Sequence, residues 1–293
     1  MARIVDRDAL AAAAGVLRIG GDLEVARLGF GAMRITGEGI WGEPASTDGA
    51  RALLRRAPAL GIDFIDTADS YGPEVSERLI GEALHPYPPG LVIATKGGLV
   101  RPGPNEWVSD GRPAHLRAAC EGSLARLKLE RIDLYQFHRP DPQVPFEDSI
   151  GELARLQREG KLRHIGVSNV SVEQLRRAQA IVKVVAVQNR YHLADRASDD
   201  VLEVCEREGI AFIPWGPLAQ RARAGEAPPA PVRALQAIAR ERGIDVNQAA
   251  LAWLLTRSPV MLPIPGTSSI AHLEQNAAAG GLRLCDSEMQ RIG

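Results

Sequence analysis

Gly61-Ile62-Asp63-Phe64-Ile65-Asp66-Thr67-Ala68-Asp69-Ser70-Tyr71-Gly72 is the stretch on which the fold turns. Its first half reads as a short strand over residues 63–66, entered from a glycine. Its second half leaves that strand carrying a carboxylate, Asp66, and then a phenol, Tyr71. The next apolar run, residues 91–95, is followed directly by Lys96. A carboxylate, a phenol and an ammonium thus fall at the ends of two neighbouring strands. That is a chemical grouping, not only a packing pattern.

Outward from this stretch, strand-like and helix-like patterns alternate. The apolar runs predict strands over 30–32, 63–66, 91–95, 132–137, 164–167, 184–187, 211–213 and 261–264. Helical stripes lie between them; in 48–60, for example, Ala50, Leu53, Leu54, Ala57 and Leu60 share a face and Gly61 stops the run. Sustained alternation implies parallel strands joined by crossovers. No GxGxxG follows the first strand, which weakens a doubly wound sheet. The 293 residues then predict one domain, 1–293, folded as a (β/α)8 barrel. Residues 16–19 and 23–26 flank Gly20-Gly21-Asp22 and read as a small hairpin ahead of it.

A barrel carries its chemistry at the C-terminal strand ends. Asp66 follows the second strand, Lys96 the third and His138 the fourth. Ser168-Asn169 follows the fifth, Gln188-Asn189 the sixth, Trp215 the seventh and Pro265-Gly266-Thr267 the eighth. Two long connections, 97–112 and 217–231, read as lids over that mouth.

Composition narrows the class. Lys+Arg 35 against Asp+Glu 36 leaves a net charge of −1, with no basic patch for nucleic acid or an acidic membrane. Cys120, Cys205 and Cys285 show no CxxC spacing, so neither a metal site nor a disulfide framework is expected. Reduced thiols fit a cytoplasmic protein. No apolar run approaches the ~18 residues of a membrane helix. The Ala-rich stretch 9–17 follows Asp6 and Asp8 where an export leader would carry basic residues.

A free tyrosine has a pKa near ~10, too high for easy proton donation at neutral pH. Lys96 beside Tyr71 is expected to lower it, and Asp66 to hold Lys96 charged and in place. His138 supplies a hydrogen bond to orient a carbonyl. Each residue alone has an ordinary explanation: packing, a turn, a solvated cation, a satisfied histidine. Their joint placement at consecutive strand ends does not. Ser168, Asn169 and Gln188 offer paired donors and acceptors for a carboxamide, and Trp215 a stacking face. Gly266-Thr267-Ser268-Ser269 precedes a helix and suits a phosphate as well as a cap. Trp41 and Trp107 line an apolar substrate slot or anchor their loops. A Schiff-base lyase using Lys96 remains an alternative.

These residues resemble the aldo-keto reductase family. The motifs are GIDFIDTADSYG (61–72), IATKGG (93–98), DLYQFHRPD (133–141), IGVSN (165–169), VQNRYH (187–192) and IPGTSSIAHLEQN (264–276). The resemblance implies a barrel capped at its base by the hairpin, and NAD(P)H-dependent reduction of aldehydes or ketones to alcohols. It implies a catalytic set of Asp66, Tyr71, Lys96 and His138. Ser168, Asn169, Gln188 and Trp215, with Gly216, Pro217 and Leu218, would meet the nicotinamide side of the cofactor. Gly266, Thr267, Ser268, His272, Gln275 and Asn276 would grip the adenosine end. Gly266 and His272 stand where some members carry the Lys and Arg that hold the 2′-phosphate of NADPH; the Thr267 and Ser268 hydroxyls with His272 are expected to take that place, so NADPH is expected and NADH stays open. The short segment after Asn276 predicts an open mouth and broad carbonyl acceptance. Within the family, the motifs are most similar to bacterial, pyridoxal reductase-like members. A weakly catalytic NADPH-binding redox sensor is a further alternative.

Overall fold

A hairpin of β1 (Val16–Ile19) and β2 (Leu23–Ala26) precedes strands β3 (Phe30–Gly31), β4 (Phe64–Asp66) and β5 (Val92–Gly97). A side ribbon follows, β6 (Leu99–Val100) with β7 (Val108–Ser109). Strands β8 (Ile132–Phe137), β9 (Leu162–Ser168), β10 (Val184–Gln188) and β11 (Ala211–Phe212) complete a parallel sheet of order β11-β10-β9-β8-β5-β4-β3. This computed structural model describes residues 9–218 and 227–293. The acidic residues Asp6 and Asp8 lie outside that range.

The eighth predicted strand closes the sheet with few hydrogen bonds. Met261 bridges Phe212 in parallel, and Leu262 N donates to Phe212 O at 2.8 Å. On the other side Gly29 N donates to Pro263 O at 2.9 Å. Pro263 and Pro265 have no N–H to return, so a continuous ladder cannot form. The barrel is closed, but its last stave is held by bridges.

Helices α1 (Thr47–Ala59), α2 (Val75–Leu84), α3 (Pro113–Leu127), α4 (Phe146–Arg158), α5 (Val172–Gln179) and α6 (Asp199–Glu208) connect the strands in turn. Helices α7 (Ala230–Arg242) and α8 (Val246–Arg257) precede the closing segment; α9 (Ile270–Ala278) and α10 (Asp286–Ile292) follow it. Local signals set their ends. The Ser46 hydroxyl accepts from Gly49 N at the start of α1, and Ser171–Gln174 and Asp245–Gln248 form capping boxes on α5 and α8. The stripe Ala50, Leu53, Leu54 and Ala57 is buried against the barrel. Gly61 ends that unit at φ +80°, where a β-carbon would lie 2.8 Å from Ala9 Cβ.

One apolar cluster fills the barrel and joins it to the hairpin. Phe64, Val92, Ala94, Leu134, Ala186 and Leu262 pack with Leu17, Ile19, Leu23 and Val25. The hairpin is therefore the plug of the barrel base. Its turn is pinned by charge: Asp22 accepts from His164 Nε2 at 2.6 Å and from Arg163 Nη2 at 2.8 Å, at the start of β9. Plugging one end leaves the opposite, C-terminal end for chemistry.

The connection 97–112 is not a bare lid, because β6 and β7 give it a ribbon of its own. Residues 219–226 of the second predicted lid lie outside the described residues. Cys120 and Cys205 are buried, Cys285 is exposed, and all are free thiols. Among the described residues no helix is long and apolar enough to cross a membrane.

Candidate active site

Register decides which side chains enter the barrel. Asp66 pairs with Ala94, so Lys96, two residues on, shares its face. Lys96 pairs with Gln136, and His138 follows two residues later. Gln136 pairs with Gly166, which puts Ser168 inward, and Ser168 pairs with Gln188. The same alternation that buries Ala94 and Leu134 in the plug layer sends a polar layer inward one step above it.

Lys96 sits at the centre of that layer. Its Nζ donates to Asp66 Oδ1 at 2.5 Å, to Thr67 O at 2.8 Å and to the Tyr71 hydroxyl at 3.4 Å. The Lys96 and Asp66 side chains are 0% and 1% exposed. A buried ion pair needs its remaining atoms satisfied, or desolvation outweighs the attraction. Here they are: Asp66 Oδ2 accepts from Gln136 Nε2 at 3.0 Å and from Gln188 Nε2 at 2.8 Å. Burial pulls the Lys96 pKa down, but Asp66 and Tyr71 outweigh it, so the ammonium is held charged above its ordinary range.

Tyr71 departs from the sequence expectation. Burial pushes its pKa up, and the Asp66 and Asp69 carboxylates add to that push; Lys96 pulls it down without prevailing. The phenol is only 7% exposed. The net direction is upward, so the residue holds its proton across the neutral range. The expected lowering fails because desolvation of a phenolate in this pocket exceeds the attraction of one ammonium already paired with a carboxylate.

His138 packs edge-on to Tyr71, ring centres 5.9 Å apart, and its Nδ1 lies 3.4 Å from Ser70 Oγ. Burial, aided by Lys96, pushes its pKa well below the ordinary 6.5. The ring is neutral at neutral pH.

The predicted cofactor bed is held together by its own hydrogen bonds. Asn169 stands at φ +57°, a left-handed conformation that asparagine tolerates. Its Nδ2 donates to His138 O at 3.0 Å, and its Oδ1 accepts from Trp215 Nε1 at 3.0 Å. The Trp215 ring is thereby fixed, half-buried, beside Asn169. Gly216 follows at φ +65°, with Pro217 buried and Leu218 half-buried. At the start of α9, Ser269 caps the helix and Thr267 Oγ1 accepts from Ser269 N at 3.0 Å. Gly266, Ser268, His272 and Gln275 are exposed there, and Asn276 is buried.

Sequence reading missed three contributors. Gln136 was inside a quoted motif, and its i, i+2 relation to His138 was the available signal. Gly166 makes room for it, since a β-carbon there would lie 3.0 Å from Gln136 Cγ. Arg34, from the first barrel loop, lies against Gly266: a β-carbon on Gly266 would sit 3.6 Å from Arg34 Cγ. Arg34 and Ser268 also share the lining of a surface cavity of about 350 Å³. No sequence spacing links residues so far apart.

Trp107 stands over Tyr71 and His138, with ring centres 6.2 and 6.5 Å away. Trp41, in the connection after the first barrel strand, is half-buried and bridges Gly72. Among the described residues no group of His, Cys, Asp or Glu is arranged to hold a metal ion.

Residues 27–293 match the Aldo/keto reductase family. The chain belongs to that family. It is 52% identical over 282 residues to an uncharacterized oxidoreductase of Schizosaccharomyces pombe, covering 96% of this chain and 90% of the relative. It is 39% identical over 279 residues to pyridoxine 4-dehydrogenase of Escherichia coli, covering 93% and 95%. Among solved structures, an aldo-keto reductase from Klebsiella pneumoniae in complex with NADPH superimposes with a TM-score of 0.77 at 29% identity, covering 94% of this chain and 93% of that one. This aldo/keto reductase family member therefore shares the barrel fold and the oxidoreductase class of the family.

Proposed function

We propose that this chain reduces an aldehyde or ketone to an alcohol with NADPH, and that Tyr71 protonates the carbonyl oxygen. The observation that carries this reading is the contact of Lys96 Nζ with Asp66 at 2.5 Å and with the Tyr71 hydroxyl at 3.4 Å. NADPH, when bound, supplies the hydride. Tyr71 enters with its proton in place, as its raised pKa requires. An alkoxide forming beside it is a far stronger base than phenolate, so transfer runs downhill. Lys96 then matters at the moment the phenolate appears, when its charge stabilises the new anion. A neutral His138 whose Nδ1 accepts from the Ser70 hydroxyl, 3.4 Å away, would carry its proton on Nε2 and offer a hydrogen bond to the same oxygen.

The residues suit a dinucleotide. Ser168, Asn169 and Gln188 would meet the carboxamide, and Trp215, held by Asn169, presents a flat face. Gly216, Pro217 and Leu218 continue that wall. Thr267 and Ser268, with His272, Gln275 and Asn276 on α9, would take the adenosine end. Gly266 lacks a side chain, and Arg34 beside it supplies the cation that His272 alone does not. The solved Klebsiella relative holds NADPH, which supports this choice.

Trp107 and Trp41 would line the substrate slot. The relative named pyridoxine 4-dehydrogenase makes pyridoxal, a flat heteroaromatic aldehyde, the first substrate to try. The lyase alternative is disfavoured by Lys96 itself: an ammonium held charged by a carboxylate is not a free nucleophile. A panel of aldehydes, ketones and sugars, assayed with NADPH and with NADH by nucleotide absorbance, tests the reading. Carbonyl-dependent oxidation of NADPH supports it; tight nucleotide binding without turnover of any carbonyl would point to the sensor instead.

A further inference from the structure

Arg101, directly after β6, is a buried cation that no carboxylate pairs with among the described residues. It is 8% exposed. Its Nε donates to Glu106 O at 2.6 Å, Nη1 to Ile40 O at 2.8 Å and Ser70 O at 3.1 Å, and Nη2 to Gly39 O at 2.9 Å and Gly103 O at 3.4 Å. Every acceptor is a main-chain carbonyl. They come from the connections after the first, second and third barrel strands. One of them belongs to Ser70, the residue before Tyr71.

The face of the guanidinium is used as well. Arg101 Cζ lies 3.6 Å from the centre of the Trp107 ring and 5.8 Å from that of Trp41. Trp107 in turn stands edge-on to Tyr71 at an interplanar angle of 84°. Burying an unpaired charge is unfavourable, so a simple loop brace would be expected to use a neutral side chain. Arginine alone offers a planar fork of five donors and a flat cationic face together. A lysine would reach one or two of these carbonyls and stack poorly.

We propose that Arg101 is the positioning residue of the substrate slot. It ties the first three loops of the mouth together and holds Trp107 as a rigid wall beside the Tyr71 ring, so that the slot selects flat aromatic or heteroaromatic carbonyl compounds over aliphatic ones. This specificity claim rests on Tyr71 marking the reaction centre, as proposed above.

The test compares wild type with Arg101→Lys, Trp107→Leu and the double variant. NADPH affinity, near-ultraviolet circular dichroism of the indoles, and kcat/KM for pyridoxal and a straight-chain aldehyde are measured for each. Arg101→Lys is expected to lower the aromatic-to-aliphatic ratio of kcat/KM by about tenfold while keeping the NADPH Kd within about twofold. It should also remove the same indole dichroism that Trp107→Leu removes. In the Trp107→Leu background it should change the ratio no further. An unchanged ratio in Arg101→Lys, or additive losses in the double variant, would overturn the proposal. Should Arg101→Lys not fold, Trp107→Leu decides: an unchanged ratio in that variant overturns the slot. If wild type reduces neither aldehyde, the ratio is taken from an aromatic and an aliphatic carbonyl that the panel shows to be substrates; if no carbonyl is reduced, the functional reading fails, and the dichroism comparison still decides whether Arg101 orders Trp107.

Discussion

Gln188 on β10 donates to Asp66 on β4 at 2.8 Å, across the lumen of the barrel. The amide assigned to the nicotinamide side and the carboxylate assigned to the proton side are therefore in direct contact. Gln188→Leu removes one of the hydrogen bonds on a carboxylate that is 1% exposed. The expected result is a loss of about 1–3 kcal/mol of stability together with weaker NADPH binding. Denaturant unfolding and fluorescence titration of the same sample check both.

Breaking the central ion pair should be more damaging than replacing it whole. Lys96→Met leaves Asp66 as a buried charge supported, among the described residues, by the Gln136 and Gln188 amides. It is expected to destabilise the fold by about 3–5 kcal/mol. The double variant Asp66→Asn with Lys96→Met should recover part of that loss. Chemical denaturation of the three proteins measures the difference.

The pH dependence of reduction follows from two opposite shifts. As the proposed acid, Tyr71 must be protonated, so activity is expected below its pKa and is lost as pH rises through it. That pKa lies above the ordinary 10.0. His138 has its pKa pushed well below 6.5, so its protonation state does not change across the neutral range. The kcat/KM profile should therefore show no inflection at 6.5 and, above that pH, should fall only in strong alkali. Activity lost toward alkali with a midpoint below 10 would contradict the Tyr71 assignment, and activity lost toward acid with a midpoint near 6.5 the His138 assignment.

Gly81 in α2 has no room for a side chain. A β-carbon there would lie 2.3 Å from the main-chain oxygen of Arg126 at the end of α3. Gly81→Ala is expected to force these helices apart and to destabilise the protein by about 1–3 kcal/mol. The thermal midpoint would fall by several degrees without any change in NADPH affinity. Calorimetry and titration separate the two.

The barrel was legible because its signals are local. Each apolar run, each glycine stop and each polar residue at a strand end can be read from a window of a few residues. Asp66, Lys96, Tyr71 and His138 came with those windows, and register then brought them together. What escaped reading depends on contacts between distant segments. Gln136 reaches Asp66 only because Gly166 leaves space. Arg101 gains its meaning from carbonyls up to 62 positions away. The sign of the Tyr71 shift needed a burial that no motif encodes. The last strand was placed correctly along the chain, but Pro263 and Pro265 limit it to bridges.

In the proposed reaction the Tyr71 hydroxyl delivers the proton beside the Lys96 ammonium. Single-turnover reduction by Tyr71→Phe, preloaded with NADPH, tests it most directly. Hydride transfer should slow by about 10²–10⁴-fold while the NADPH Kd stays within about twofold of wild type. Reduction at an undiminished rate in that variant would contradict it.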